Sequence, residues 1–201
     1  MAAQTKTAQI KTNQTKINQN QSNQLTKTNF IDPNSPKTSL IVTPIKGHVQ
    51  VFIAPHRNLY TDIIAQGLRV AGQGTQVLLV QLLQTGINQG LSNPRRLVEN
   101  FEWLRCEAQR DLSKVDLELT DLEKSSVMEL WNYAKVALKS SDVGLVILDE
   151  VNLLVARSLI SEEELLDVLE TRSAKVNIIL MGASMPSRIA DYADQVTHRR
   201  N

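Results

Sequence analysis

Four short segments constrain this chain more than anything else in it: VQVFIA (49–54), QVLLVQLL (76–83), LVILD (145–149) and VNIILM (176–181). Each is a nearly continuous apolar run rich in β-branched residues, and each is bounded by polar or turn-forming residues. Strands that are apolar on both faces have to be covered on both faces, which is the condition of a parallel sheet with crossover helices. The segments between them carry helix signals. Leu59, Ile63, Ile64, Gly67, Leu68 and Ala71 recur at helical spacing before Gly72 and Gly74. TDLE (120–123) and SEEE (161–164) read as capping boxes, the first opening a stripe of Val127, Leu130, Trp131, Ala134 and Leu138, the second one of Leu165, Leu166, Val168 and Leu169. NFEWLRC (100–106) reads as a strand with Phe101 and Trp103 on one face and Leu104 and Cys106 on the other. Residues 186–193 read as a short helix and 195–198 as a last strand, while TGINQG (85–90) reads as a loop and NPRRLVEN (93–100) as opening with a short helix whose first turn contains Pro94. The expected fold is α/β, with a mostly parallel sheet of five or six strands and helices on both faces.

The first part of the chain cannot belong to that sheet. Residues 1–30 hold eleven Asn or Gln, six Thr and four Lys, a composition that cannot bury enough apolar surface to offset its ordering entropy. Residues 1–38 are therefore expected to be a disordered tail, and 39–201 a single α/β domain. The charge divides at the same place: five Lys against one Asp before Thr38, and 17 basic against 20 acidic residues after it, so the formal +1 describes neither part. A folded part at net −3 argues against a nucleic-acid partner. No apolar run is long enough to span a bilayer or to serve as a secretory h-region, and a cytoplasmic protein is expected. One cysteine, Cys106, excludes an internal disulfide, and His48, His56 and His198 lack metal-ligand spacing.

In a parallel α/β sheet ligands bind beyond the carboxyl ends of the strands. The order strand, loop, helix, followed later by an apolar strand ending in Asp149 and Glu150, is the layout of a P-loop nucleotide-binding protein whose acids hold Mg²⁺, and the expected fold is of that three-layer P-loop (RecA-like) class. A strand-end acid pair serves equally to cap a helix or to form an ion pair.

Four further segments sharpen this layout: GLRVAGQGTQVLLVQLLQTG (67–86), LVILDEVNLLVARSLISEEELLDVLETR (145–172), NIILMG (177–182) and IADYADQVT (189–197). In order and spacing they resemble the ATP:corrinoid adenosyltransferases, over about three quarters of the chain. The resemblance implies a reaction in which a reduced corrinoid cobalt attacks the ribose C5′ of ATP and displaces triphosphate. It implies ATP and Mg²⁺ as partners, a corrinoid as substrate or ligand, Asp149 and Glu150 as metal-holding acids, and Phe101 and Trp103 in the region of corrinoid-facing aromatics. It leaves a homodimer open as well.

The departures from the family pattern are as informative. Its phosphate (Walker A) loop, of the form G-N-G-K-G-K-T-T, falls on Ala54, Pro55, His56, Arg57, Asn58, Leu59, Tyr60 and Thr61. Both framing glycines are gone, the Lys is Leu59, the metal-binding Thr is Tyr60, and Pro55 removes one more N–H. His56, Arg57, Asn58 as a helix N-cap, and Thr61 are what remains for a nucleotide. Arg57 reads either as a substitute phosphate ligand or as a surface residue in a polar turn. The family's T-G-R is here Met181, Gly182 and Ala183. Two readings follow: a divergent adenosyltransferase, weak or inactive because its phosphate loop is lost, or a non-catalytic protein that uses the framework to bind a corrinoid, an anion or a protein.

Overall fold

A computed structural model describes residues 46–56, 60–86, 88–114 and 117–200. All of them fall in one compact unit, Thr43–Asn201. The tail expected at residues 1–38 lies outside the described residues, as do Arg57, Asn58 and Leu59.

In chain order the elements are β1 (Val49–Ile53), α1 (Thr61–Gly72), β2 (Val77–Thr85), β3 (Arg95–Val98), β4 (Phe101–Cys106) and α2 (Asp121–Lys139). They continue with β5 (Leu145–Asp149), α3 (Val151–Ala156), α4 (Glu162–Thr171), β6 (Asn177–Gly182), α5 (Ser187–Tyr192) and β7 (Gln195–His198). The seven strands form one sheet in the order β3-β4-β2-β5-β6-β1-β7. Every pairing is parallel except that of β3 with β4. The α/β class with a mostly parallel, doubly covered sheet is thus found, with one strand more than the five or six expected.

The additional strand is β3. Its RRLV sequence is short, half charged and exposed at all four positions, so no buried-strand pattern marks it; only its antiparallel pairing to β4 makes it a strand. Where a helical turn was expected around Pro94, the chain instead enters this edge. A Pro just before an edge strand costs no ladder bond. The one-turn-and-a-half helix α3 is likewise not marked by periodicity.

Alternation along the strands sends side chains to two cores of unequal size. Leu78, Val80, Leu104, Val146, Leu148, Ile178 and Leu180 meet the apolar stripes of α2, α3, α4 and α5 on one face. Leu79, Phe101, Ile147, Ile179 and Met181 meet α1 on the other. Trp131, fully buried on α2, is a core anchor of the first face. Cys106 lies on the same side, its thiol donating to Ser126 Oγ and pushed up in pKa mainly by burial, which suits a core residue and not a nucleophile.

The two capping boxes differ. At α2 both halves form: Glu123 N donates to Thr120 Oγ1 at 3.3 Å, and Thr120 N donates to Glu123 Oε2 at 2.8 Å. Arg110, bonded to the same carboxylate, and the Thr120 amide hold it down to about 2 in pKa. At α4 Ser161 Oγ accepts from Glu164 N, but the Glu164 carboxylate accepts from Trp131 Nε1 and Lys135 Nζ, each at 2.9 Å. The second box is half a box, because a buried indole N–H needs an acceptor more than the cap does.

The position of α1 matters for the site, because its first turn follows the loop after β1. Gly67 lets it lie close to the sheet: a Cβ there would stand 2.7 Å from Phe101 Cε2 and 3.0 Å from Ile147 Cδ1. Gly67→Val is expected to destabilise the protein by about 1–3 kcal/mol through overpacking, read as a lower urea midpoint with an unchanged slope.

Candidate functional site

The carboxyl ends of the central strands carry a row of side chains in register on the α1 face: Arg105 on β4, Gln81 on β2, Asp149 on β5 and Met181 on β6. Asp149, at 0% exposure, accepts from Gln81 Nε2 at 2.7 Å. Gln81 Oε1 accepts in turn from Trp103 Nε1 at 2.9 Å and from Arg105 Nε at 2.7 Å. The Arg105 guanidinium stands over the Trp103 ring, 4.5 Å from its centre, within cation–π range. Gln81 and Arg105 were not among the residues expected here. The signal that points to Gln81 is a single polar residue inside the otherwise apolar VLLVQLL, where burial without a role would be costly.

Beside this row the chain leaves β5 under strain. Glu150, buried, has φ 62° and ψ 27°, a left-handed conformation that a side chain with a Cβ adopts at a cost of order 1–2 kcal/mol. Its N–H donates to the Met181 carbonyl at 2.8 Å. The turn it makes starts α3, where Asn152 sits against Gly182. A Cβ on Gly182 would stand 2.3 Å from Asn152 Oδ1, so the glycine kept from the T-G-R pattern is needed for this contact. Met181, in place of the hydroxyl residue, is buried in the α1-side core.

In the loop after β1, on either side of 57–59, Ala54 and Tyr60 are packed into the sheet and the core. Pairing of β1 with β6 runs one residue past the strand: Ala54 N donates to the Gly182 carbonyl at 3.1 Å, and Ala54 is 0% exposed. Its amide is therefore spent within the sheet, and Pro55 has none to offer. Tyr60, 4% exposed, turns inward. Its ring meets Phe52 edge to face with centres 6.1 Å apart, and its hydroxyl donates to the Ala54 carbonyl over 3.4 Å. Tyr60 also takes the N-cap position of α1, where Asn58 was expected; Asn58 and Arg57 lie outside the described residues. His56 and Thr61 are exposed. In the first turn of α1 Asp62 pairs with Arg199, Oδ2 to Nη1 at 2.6 Å, so the helix end that would attract an anion already has a carboxylate beside it. His198 is exposed at the end of β7, opposite Ile53.

The remaining expected residues are placed as follows. Phe101 is 0% exposed, under Gly67 of α1, whereas Trp103 is half-buried and tied to Gln81. The two aromatics share a face of β4, but Trp103 alone of them retains exposed surface. Asp149 and Glu150 are adjacent and buried, and among the described residues no group of three or more His, Cys, Asp or Glu side chains is placed to hold a metal ion. Judged by the spent Ala54 amide and the buried Tyr60, the described part of the loop does not fit a Mg²⁺-bound triphosphate.

The family model described as "ATP:corrinoid adenosyltransferase BtuR/CobO/CobP" matches residues 46–201. The chain belongs to the ATP:corrinoid adenosyltransferase family. A corrinoid adenosyltransferase of Escherichia coli is 24% identical over 163 residues, covering 77% of this chain and 77% of that protein. One of Pseudomonas aeruginosa is 25% identical over 139 residues, covering 64% of this chain and 63% of that one. An uncharacterized protein of Nostoc sp. is 31% identical over 77 residues, which is 38% of this chain and 20% of that longer protein. No helix among the described residues is long and apolar enough to cross a membrane.

The strain at Glu150 has a measurable consequence. Glu150→Gly and Glu150→Ala both remove the carboxylate, but only Gly adopts φ 62° without penalty. The Gly variant is expected to be more stable than the Ala variant by about 1 kcal/mol in chemical denaturation.

Proposed function

We propose that this protein keeps the corrinoid adenosyltransferase framework without running ATP-dependent adenosyl transfer, and that it works in the cytoplasm as a binding module for a corrinoid or a related small molecule. The reading is carried by one observation, the Ala54 amide committed to Gly182 with Tyr60 buried behind it. Displacing triphosphate from ATP requires the leaving group to be held by loop amides, a cation and a Lys. Here the Lys position is Leu59, the hydroxyl position is a buried phenol, and one amide is spent while another is replaced by Pro55. Charge-assisted contacts are worth about 1.5–3 kcal/mol each, so losing several together removes more than ~5 kcal/mol of nucleotide affinity. That turns a micromolar site into an essentially empty one.

What remains for recognition is the other end of the site. Trp103 offers a half-buried indole with Arg105 stacked on it, a combination that suits a flat ligand bearing acceptor or anionic groups. One Asp149 oxygen, Oδ2, is engaged by the Gln81 amide, which favours the binding reading over a catalytic one.

Calorimetric titration with Mg·ATP and an adenosyl-transfer assay with a chemically reduced corrinoid separate the two readings. The expected result is no nucleotide affinity tighter than roughly 100 µM, and corrinoid bound without forming a cobalt–carbon bond. Tighter nucleotide binding that is lost in Asp149→Ala, together with transfer, would establish the catalytic reading instead.

A further inference from the structure

We infer that Asp149 and Gln81 act as positioning residues for the Trp103–Arg105 pair, so that the acid at the metal-holding position of the family serves here to orient a recognition surface. The argument rests on donor and acceptor chemistry. An indole Nε1–H and a guanidinium Nε–H only donate, so the Gln81 atom facing both has to be its oxygen. A carboxylate only accepts, so the atom facing Asp149 has to be the nitrogen. The three partners therefore agree on one orientation of a side chain that is otherwise free to rotate by half a turn. Reversed, the amide of the buried Gln81 would set its NH₂ against two donors and its oxygen against a carboxylate.

Each member sits at the same level of three adjacent parallel strands, Arg105 on β4, Gln81 on β2 and Asp149 on β5. The backbone ladder fixes their spacing, and the side chains alone decide the hydrogen bonds. Asp149 is the fully buried member of this chain of bonds. Trp103 is the end with exposed surface, and Arg105 over its ring fixes which face of the indole is offered. Removing the acceptor at Asp149 frees the Gln81 amide, and the indole and guanidinium lose their common acceptor with it. That this surface serves recognition rests on the binding-module reading; the bond chain itself is tested without a ligand, so failure of one is distinguishable from failure of the other.

The test uses the full chain and the two indole N–H signals of its ¹H–¹⁵N spectrum, since the protein has two tryptophans. Trp103→Phe assigns them. Trp131, on the opposite face and bonded to Glu164, is the internal control for an intact fold. In Asp149→Ala the Trp103 indole signal is expected to shift and its hydrogen exchange to accelerate about tenfold, with Trp131 unmoved. Asp149→Asn keeps an acceptor oxygen and is expected to stay within about twofold of the parent. Gln81→Glu sets two carboxylates together and disturbs the signal. Combined with Asp149→Asn it exchanges the amide and the carboxylate between the two positions, and is expected to restore the signal. An unchanged Trp103 signal in Asp149→Ala, or no restoration in the exchanged pair, would overturn the inference. If Asp149→Ala moves both indole signals, the exchanged pair decides by itself, because it retains every donor and acceptor of the bond chain.

Discussion

The site depends on one backbone hydrogen bond at the end of the β1–β6 ladder, from Ala54 N–H to the Gly182 carbonyl. Parallel pairing between β1 and β6 runs in register from Val49 and Ile178 to Ile53 and Gly182, and this bond carries the ladder one residue further. It brings Ala54 fully under cover and fixes the direction in which the chain enters the loop. Pro55 follows with a restricted φ and no N–H. The space behind is filled by Tyr60, packed on Phe52. A buried amide paired with a carbonyl has no reason to turn toward a phosphate, since unpairing it costs what the new contact would return.

The same economy of buried polar groups explains the row at the strand ends. Three parallel strands bring a carboxylate, an amide and a guanidinium to one level of the α1 face, and the Gln81 amide bridges the other two. The row runs along the carboxyl ends of β4, β2 and β5. It leaves the part of the site with usable chemistry at Trp103 and Arg105, toward the β3–β4 edge of the sheet, and away from the loop after β1. At the opposite end, where α1 begins and β7 ends, lies the exposed Asp62–Arg199 pair. The proposal that binding has outlived transfer follows from these two ends taken together.

Much of this was legible from residue patterns. Apolar runs such as VLLVQLL and LVILD fix the buried strands, since nothing else accommodates both faces of such a run, and Thr120 with Glu123 fixes the start of α2. The replacement of loop glycines and of the hydroxyl residue by Ala54, Asn58 and Tyr60 was visible at once. What the pattern could not carry was direction. Whether Tyr60 points out to solvent or in toward Phe52 depends on packing from β1, and the use of Glu164 by Trp131 depends on how α2 and α4 meet. β3 was missed because an exposed edge strand has no buried face to leave a period in the sequence. Gln81 was missed for a related reason: one polar residue in an apolar run becomes informative only when its partners on two other strands are known.

The Ala54 backbone amide is the atom on which the account turns, and its ¹⁵N–¹H signal in the full chain is the most direct measurement. The account predicts an amide strongly protected from hydrogen exchange, with neither its shift nor its protection altered by millimolar Mg·ATP. An Ala54 amide that exchanges freely, or that moves on addition of nucleotide, would mean that the bond to Gly182 opens and that the loop still closes around phosphate.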